Sequence, residues 1–147
     1  MRAIAIRLGI FGAIVIGGLV IRPFVSGNAS SLQVGECFDE PADTTATVDD
    51  VQHRPCTDPH DGEVVFVGTY APAGGSLPSD SEFLSFFQAN CTPAFNAYTG
   101  IDFATDLTYD MSALTPTADG WSKGDHKVIC YAVRDDGAKL TSSIKKS

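Results

Sequence analysis

The chain has no acidic residue before Glu36, no cysteines at C-x-x-C spacing, no G-x-S-x-G elbow and no glycine-rich phosphate loop. The missing C-x-x-C takes away the usual local signature of zinc and thiol-redox sites. Without the elbow and the phosphate loop, neither a hydrolase triad nor nucleotide binding has support in the sequence. Charge is sparse, at 19% of 147 residues, and the 44% apolar fraction is too high for a disordered chain. Four cysteines are too few for a scaffold held by disulfides alone. One folded domain fits this length. Arg2, Arg7 and Arg22 precede every acidic residue, so seven basic side chains face eighteen acidic ones in the remainder, a net charge of −11 against −8 for the whole chain. A surface that acidic repels nucleic acid and anionic lipid headgroups, which excludes both as partners.

What is present begins with an apolar leader. Leu8 to Ile21 is a run of 14 uncharged residues, LGIFGAIVIGGLVI, bounded by Arg7 and by Arg22-Pro23. As a helix it spans roughly 21 Å against a hydrocarbon core of about 30 Å, a length that suits a cleaved signal peptide. Snorkelling of Arg7 extends the run back through Ile4 and outward through Phe24-Val25, and residues 1–25 then read as a membrane anchor, the reading preferred here. Gly27-Asn28-Ala29 offers small residues for cleavage in the alternative, secreted form. Both forms keep the arginine-bearing amino terminus in the cytoplasm and the acidic domain outside. Gly9, Ala13 and Gly17 put three small side chains on one face of such a helix, where a second helix can approach.

Residues 26–31, SGNASS, read as a linker, and residues 32–147 as the domain. Cys37, Cys56, Cys91 and Cys130 are an even set, which outside the cytoplasm implies two disulfides among three possible pairings. Cys37 with Cys56 and Cys91 with Cys130 is the expected arrangement. The first closes an Asp- and Thr-rich segment with little apolar content, and the second ties a helix to a strand.

GEVVFVGTY from Gly62 is the clearest strand, and its nearly continuous apolar run suggests a central place in a sheet. Weaker strand signals lie near Leu32 to Phe38, Thr47 to His53 and Leu107 to Leu114. Ser79-Asp-Ser-Glu82 fits a capping box ahead of Phe83, Phe87, Cys91, Ala94 or Phe95, and Tyr98, which recur at helical spacing. Pro93 should kink that helix or break it, with Thr92 capping a second one, and Gly100 should end it. Thr115-Pro116 to Asp119-Gly120 reads as a turn. His126 to Val133 is a second clear strand, and Asp136-Gly137 should return the chain as a last strand over Lys139 to Ile144. The fold class expected is α+β: an N-terminal transmembrane helix, then a small disulfide-stapled domain with a mainly antiparallel sheet and one or two packed helices.

Leu32-x-Val-Gly-Glu-Cys-Phe38, Arg54-Pro-Cys56 and Pro59-His-Asp-Gly-Glu-Val-Val65 form one set of motifs in order along the chain. Cys91-x-x-x-Phe95-x-x-Tyr98-x-Gly100, Trp121-Ser-Lys-Gly-Asp125, Val128-x-Cys130 and Leu140-Thr-Ser-Ser143 follow. Together they resemble the septum-formation domain family of actinobacterial, membrane-anchored extracytoplasmic proteins, over nearly all of residues 32 to 143. The resemblance implies a role in cell division and partners among envelope or division proteins. It transfers no catalytic activity and no ligand site. Glu36 and His126 stand where Asp and Arg are expected from the family.

His60, Asp61 and Glu63 are the most function-like local group, an imidazole and two carboxylates at the mouth of the best strand. They could hold a cation or act as a base. The preferred reading is structural: a turn at Asp61-Gly62 with His60 and Glu63 bonded to hold the disulfide loop. His53 and His126 could join them only through the fold. Trp121 and Asp125 make either a partner-binding surface or, preferably, a core plug before a turn. The function expected is a non-enzymatic, membrane-anchored binding module without cofactor or metal. The rivals are an envelope enzyme or metal factor built on His60, Asp61 and Glu63, and a secreted ligand-binding protein.

Overall fold

The computed structural model describes residues 14–16, 19–22, 27–41, 48, 50–71 and 75–147. These residues form one sheet of seven strands with helices laid on it. The strands are β1 (Ile14–Ile16), β2 (Leu19–Arg22), β3 (Cys37–Asp39), β4 (Gln52–Arg54), β5 (Gly62–Thr69), β6 (Tyr109–Leu114) and β7 (Lys127–Arg134), in the spatial order β1-β2-β6-β7-β5-β3-β4. Every pairing is antiparallel except β2 with β6. The expected α+β class and mainly antiparallel sheet are therefore present, and β5 and β7, the two clearest strands in the sequence, lie inside the sheet.

Side-chain alternation in β7 divides the core. Val128, Cys130 and Ala132 join Phe83, Phe87, Cys91 and Phe95 on the helix side, while Ile129 and Tyr131 join Ala29, Leu32, Phe38 and Val64 on the other. The helix α1 (Asp80–Thr99) begins with the expected capping box: Ser79 Oγ accepts from the Glu82 amide, and Glu82 accepts from the Ser79 amide at 2.8 Å. It ends at Gly100, whose φ of 74° supplies the left-handed cap. Pro93 does not break it. A mid-helix proline costs about 3 kcal/mol, but Phe83 and Phe87 before it and Phe95 after it are all buried against the sheet, and the Cys91–Cys130 disulfide clamps the adjacent turn. The other disulfide is Cys37–Cys56, so both expected pairings are formed.

Two expectations are corrected. The segment after Pro116 is not a plain turn but a short helix, α2 (Ala118–Ser122), capped by Thr117, whose hydroxyl accepts from the Gly120 amide at 2.7 Å. Beyond Gly137 no last strand forms over Lys139 to Ile144, because both edges of β7 are already taken by β5 and β6. Only Leu140 pairs, in an isolated bridge with His60. The strand signal of Thr47 to His53 is realised only as the short β4.

The leader, expected as one helix, is described only at residues 14–16 and 19–22. Ile14–Ile16 and Leu19–Arg22 are extended, a hairpin with β2 parallel to β6. Ile and Val favour the pleated conformation, and an apolar backbone must satisfy its polar groups either internally, as a helix in lipid, or against a sheet edge. Among the described residues no helix is long and apolar enough to cross a membrane. Gly9, Ala13 and Gly17 lie outside the described residues. Gly27–Ser31, inside the expected linker, forms a 3₁₀ turn, with Ala29 buried and the Ser30 carbonyl accepting from Lys127 Nζ at 2.8 Å.

Candidate functional site

The strand β5 enters the sheet through Gly62, where a side chain would stand 2.7 Å from the ring of Tyr131, so only glycine fits. This tight entry turns the His60-Asp61-Glu63 group in two directions. His60 and Glu63 are fully buried, at 0% exposure each, while Asp61 faces the surface.

Glu63 is the hub of the inner half. One carboxylate oxygen accepts from the Tyr98 hydroxyl at 2.6 Å and from the Ser143 hydroxyl at 2.7 Å, and the other accepts from the Ile144 amide at 2.9 Å. Helix α1 and the C-terminal segment are thereby fastened to the start of β5. Burial first, and then the hydrogen bond to and charge of Glu63, push the Tyr98 phenol up to about 12. His60 is bonded through its backbone to Leu140 in both directions, at 3.0 and 2.8 Å, and its Nδ1 lies 2.7 Å from the Asp58 carbonyl. A carbonyl only accepts, so Nδ1 carries the proton and Nε2 presents a lone pair. Nε2 has no hydrogen-bond partner.

The outer half is an ion-pair network. Lys139 Nζ reaches Asp39 at 2.7 Å and Asp61 at 2.9 Å, and Arg54 Nε reaches Asp39 at 2.7 Å. Burial raises the Asp39 carboxyl, but the bonds from Lys139 and Arg54 outweigh it and hold the group below the usual carboxylate range. Asp61 also accepts from the Glu40 amide at 2.9 Å. An open groove of about 540 Å³ runs beside this network, with Glu40, Asp50 and Val51 on its walls.

The other residues singled out in the sequence lie elsewhere. Trp121 is 5% exposed, donates to the Gly75 carbonyl at 2.9 Å and stacks on His126 at 3.8 Å, which makes it a plug in the helix-side packing. Asp125 accepts from the Lys127 amide at 3.1 Å within its turn. His53 pairs with Glu36 at 3.7 Å on the exposed edge, so neither His53 nor His126 joins His60. Tyr98 and Ser143 were not legible as members of the inner group. Tyr98 stands on the sheet-facing stripe of α1 and Ser143 in the last shared motif, but nothing local to either points to a carboxylate 35 or 80 positions away.

Compared with known proteins, the chain matches the family model described as Septum formation over residues 28–146, more than half its length. It belongs to the septum-formation family. No curated protein and no solved structure matches it. Membership brings a link to cell division without a residue-level activity, so the reading of the site rests on its geometry.

Proposed function

We propose that this septum-formation protein is a non-enzymatic binding module, held to the membrane by its N-terminal segment with the acidic domain outside the cytoplasm, that joins envelope or division proteins by strand addition at β6. The observation that carries this reading is the pairing of Leu19–Arg22 along β6, Leu19 opposite Met111 and Arg22 opposite Leu114. The edge of β6 takes an added strand. Between Tyr109 and Leu114 there is no Pro, no Lys and no bulge against β7, three of the devices by which free edges are blunted, and the one charge is Asp110 near its start. Residues 19–22 cannot lie in a bilayer and on β6 together. With the leader in lipid, the edge is open to an extended segment of a partner. Two disulfides suit an oxidising compartment.

The enzyme reading is weaker on the same geometry. His60 and Glu63 are sealed from solvent, and three structural donors fix the Glu63 carboxylate in place.

The test is photocrosslinking in growing cells from Asp110 on β6, with Ser122 on α2 as control. Division or envelope proteins captured from Asp110 and not from Ser122 support the reading, and equal capture from both sites refutes it. Mass spectrometry of the mature amino terminus supplies the second arm. A start near Ser30 removes the anchor and makes the protein secreted. Captured copies of the chain itself from Ala13 would mark self-association along the Gly9, Ala13 and Gly17 face.

A further inference from the structure

We propose that Cys37, Cys56, His60 and Glu63 form a buried binding site for a zinc-like divalent ion when the Cys37–Cys56 disulfide is reduced, so that disulfide and metal are alternative staples of one corner of the sheet. Ligand atoms of Cys37, His60 and Glu63 all lie within 4.8 Å of one another, and all three residues are buried. The Cys56 sulfur is bonded to that of Cys37 and so stands beside the same group. Two thiolates, an imidazole and a carboxylate are a donor set that suits tetrahedral zinc. The ligands come from β3, the loop after β4, and the start of β5, which is why no short spacing marks them.

Two details of the hydrogen bonding point the same way. His60 gives its Nδ1 proton to a backbone carbonyl and turns the Nε2 lone pair inward, the arrangement that orients histidines on metals. That Nε2 is fully buried and unpartnered, a condition protein interiors rarely leave uncompensated. Glu63 accepts three hydrogen bonds, from Tyr98, Ser143 and Ile144. A carboxylate has about four acceptor positions, so one stays free while the three donors fix its orientation.

In the oxidised form no thiolate is available and the disulfide holds the corner. Cys56 is the more accessible sulfur, half-buried where Cys37 is 2% exposed. A thiolate of an external dithiol attacks Cys56 and expels the Cys37 thiolate, and the second thiolate of the reductant then attacks the reductant sulfur of that mixed disulfide, expelling the Cys56 thiolate and closing the reductant's own disulfide. Two electrons and two protons reach Cys37 and Cys56. Metal binding releases the two protons and joins both sulfurs to the ion.

The experiment uses the full-length chain in detergent with Co²⁺ as the spectroscopic probe. The reduced protein is expected to gain the near-ultraviolet thiolate-to-cobalt band and the intense visible bands of a tetrahedral ion, and to lose them to Zn²⁺. The oxidised protein should show neither. Cys56→Ser leaves Cys37 free without any reductant and keeps Cys91–Cys130 intact, so it should show the thiolate band as well. His60→Gln in the reduced protein should lose the bands, while Tyr98→Phe, which touches only a donor to Glu63, should weaken Co²⁺ binding roughly 10- to 100-fold. Circular dichroism reports folding of each sample. Three results would overturn the proposal: no band in reduced, folded protein; binding that survives His60→Gln; or a reduced chain that unfolds and is not restored by metal. In each of these cases the corner is purely structural.

Discussion

Tyr98→Phe isolates the fastening of the C-terminal segment, because it deletes one hydroxyl and leaves the ring in place. The hydroxyl donates at 2.6 Å to a carboxylate that is 0% exposed. A hydrogen bond to a charged group contributes about 1.5–3 kcal/mol, and the half-buried position of Tyr98 puts the expected loss near the lower end, about 1.5 kcal/mol. For a chain of this size that is a fall in Tm of roughly 3–6 °C. Denaturant and thermal unfolding at neutral pH measure it. The pH dependence supplies an independent check. In the folded protein the Tyr98 phenol is raised from 10.0 to about 12. A group raised on folding contributes stability that is fully present below its unfolded value and is lost as pH climbs through the folded one. Wild type should therefore lose stability between pH 10 and 12 more steeply than the variant, which has no phenol at this position. A variant as stable as wild type at neutral pH, or one with the same alkaline slope, would refute the role given to the Tyr98–Glu63 bond.

Three further results are expected. Replacing both cysteines of a pair by alanine should lower stability by about 4 kcal/mol for Cys91–Cys130 and about 3 kcal/mol for Cys37–Cys56 in the chain-entropy picture, because the first closes the longer loop; denaturant titration ranks them. Phe95→Ala, at a fully buried site in contact with Phe103 and Tyr109, should cost about 3–5 kcal/mol in the same assay. Lys139→Ala should change neutral-pH stability by less than about 1 kcal/mol, since the lysine is 45% exposed. It should still flatten the acid limb. The Asp39 carboxyl is depressed on folding, so its contribution is present above the ordinary value of 3.8 and is lost as pH falls through the folded one, and removing Lys139 shrinks that window.

Elements specified by local chemistry were legible in the sequence. The capping box at Ser79, the left-handed cap at Gly100, the apolar runs of β5 and β7 and the two cysteine pairs all read correctly, the first three because a few neighbouring residues decide each, the pairs from the segments they close. The errors came where tertiary context prevailed. Pro93 stays in its helix because burial on both sides and a disulfide outweigh one lost hydrogen bond. Lys139 to Ile144 looks like a returning strand after Asp136-Gly137, yet β7 has no edge left for it. At the candidate site, His60 and Glu63 were found from their spacing and read as structural holders. The split that sends Asp61 outward, and the convergence of Tyr98, Ser143 and Cys37, depend on long-range packing that no local pattern encodes.

The central claim is that β6 accepts a partner strand beside Met111–Leu114 when the leader is in the membrane, and amide hydrogen exchange tests it most directly. The full-length chain would be reconstituted in lipid nanodiscs and exchange followed residue by residue over β6 and β7. The expected result is fast exchange at those amides of residues 111–114 that face away from β7, beside slow exchange throughout β7. Uniformly slow exchange across β6 would mean that residues 19–22 stay on the edge in the presence of lipid, and it would contradict the docking of a partner there.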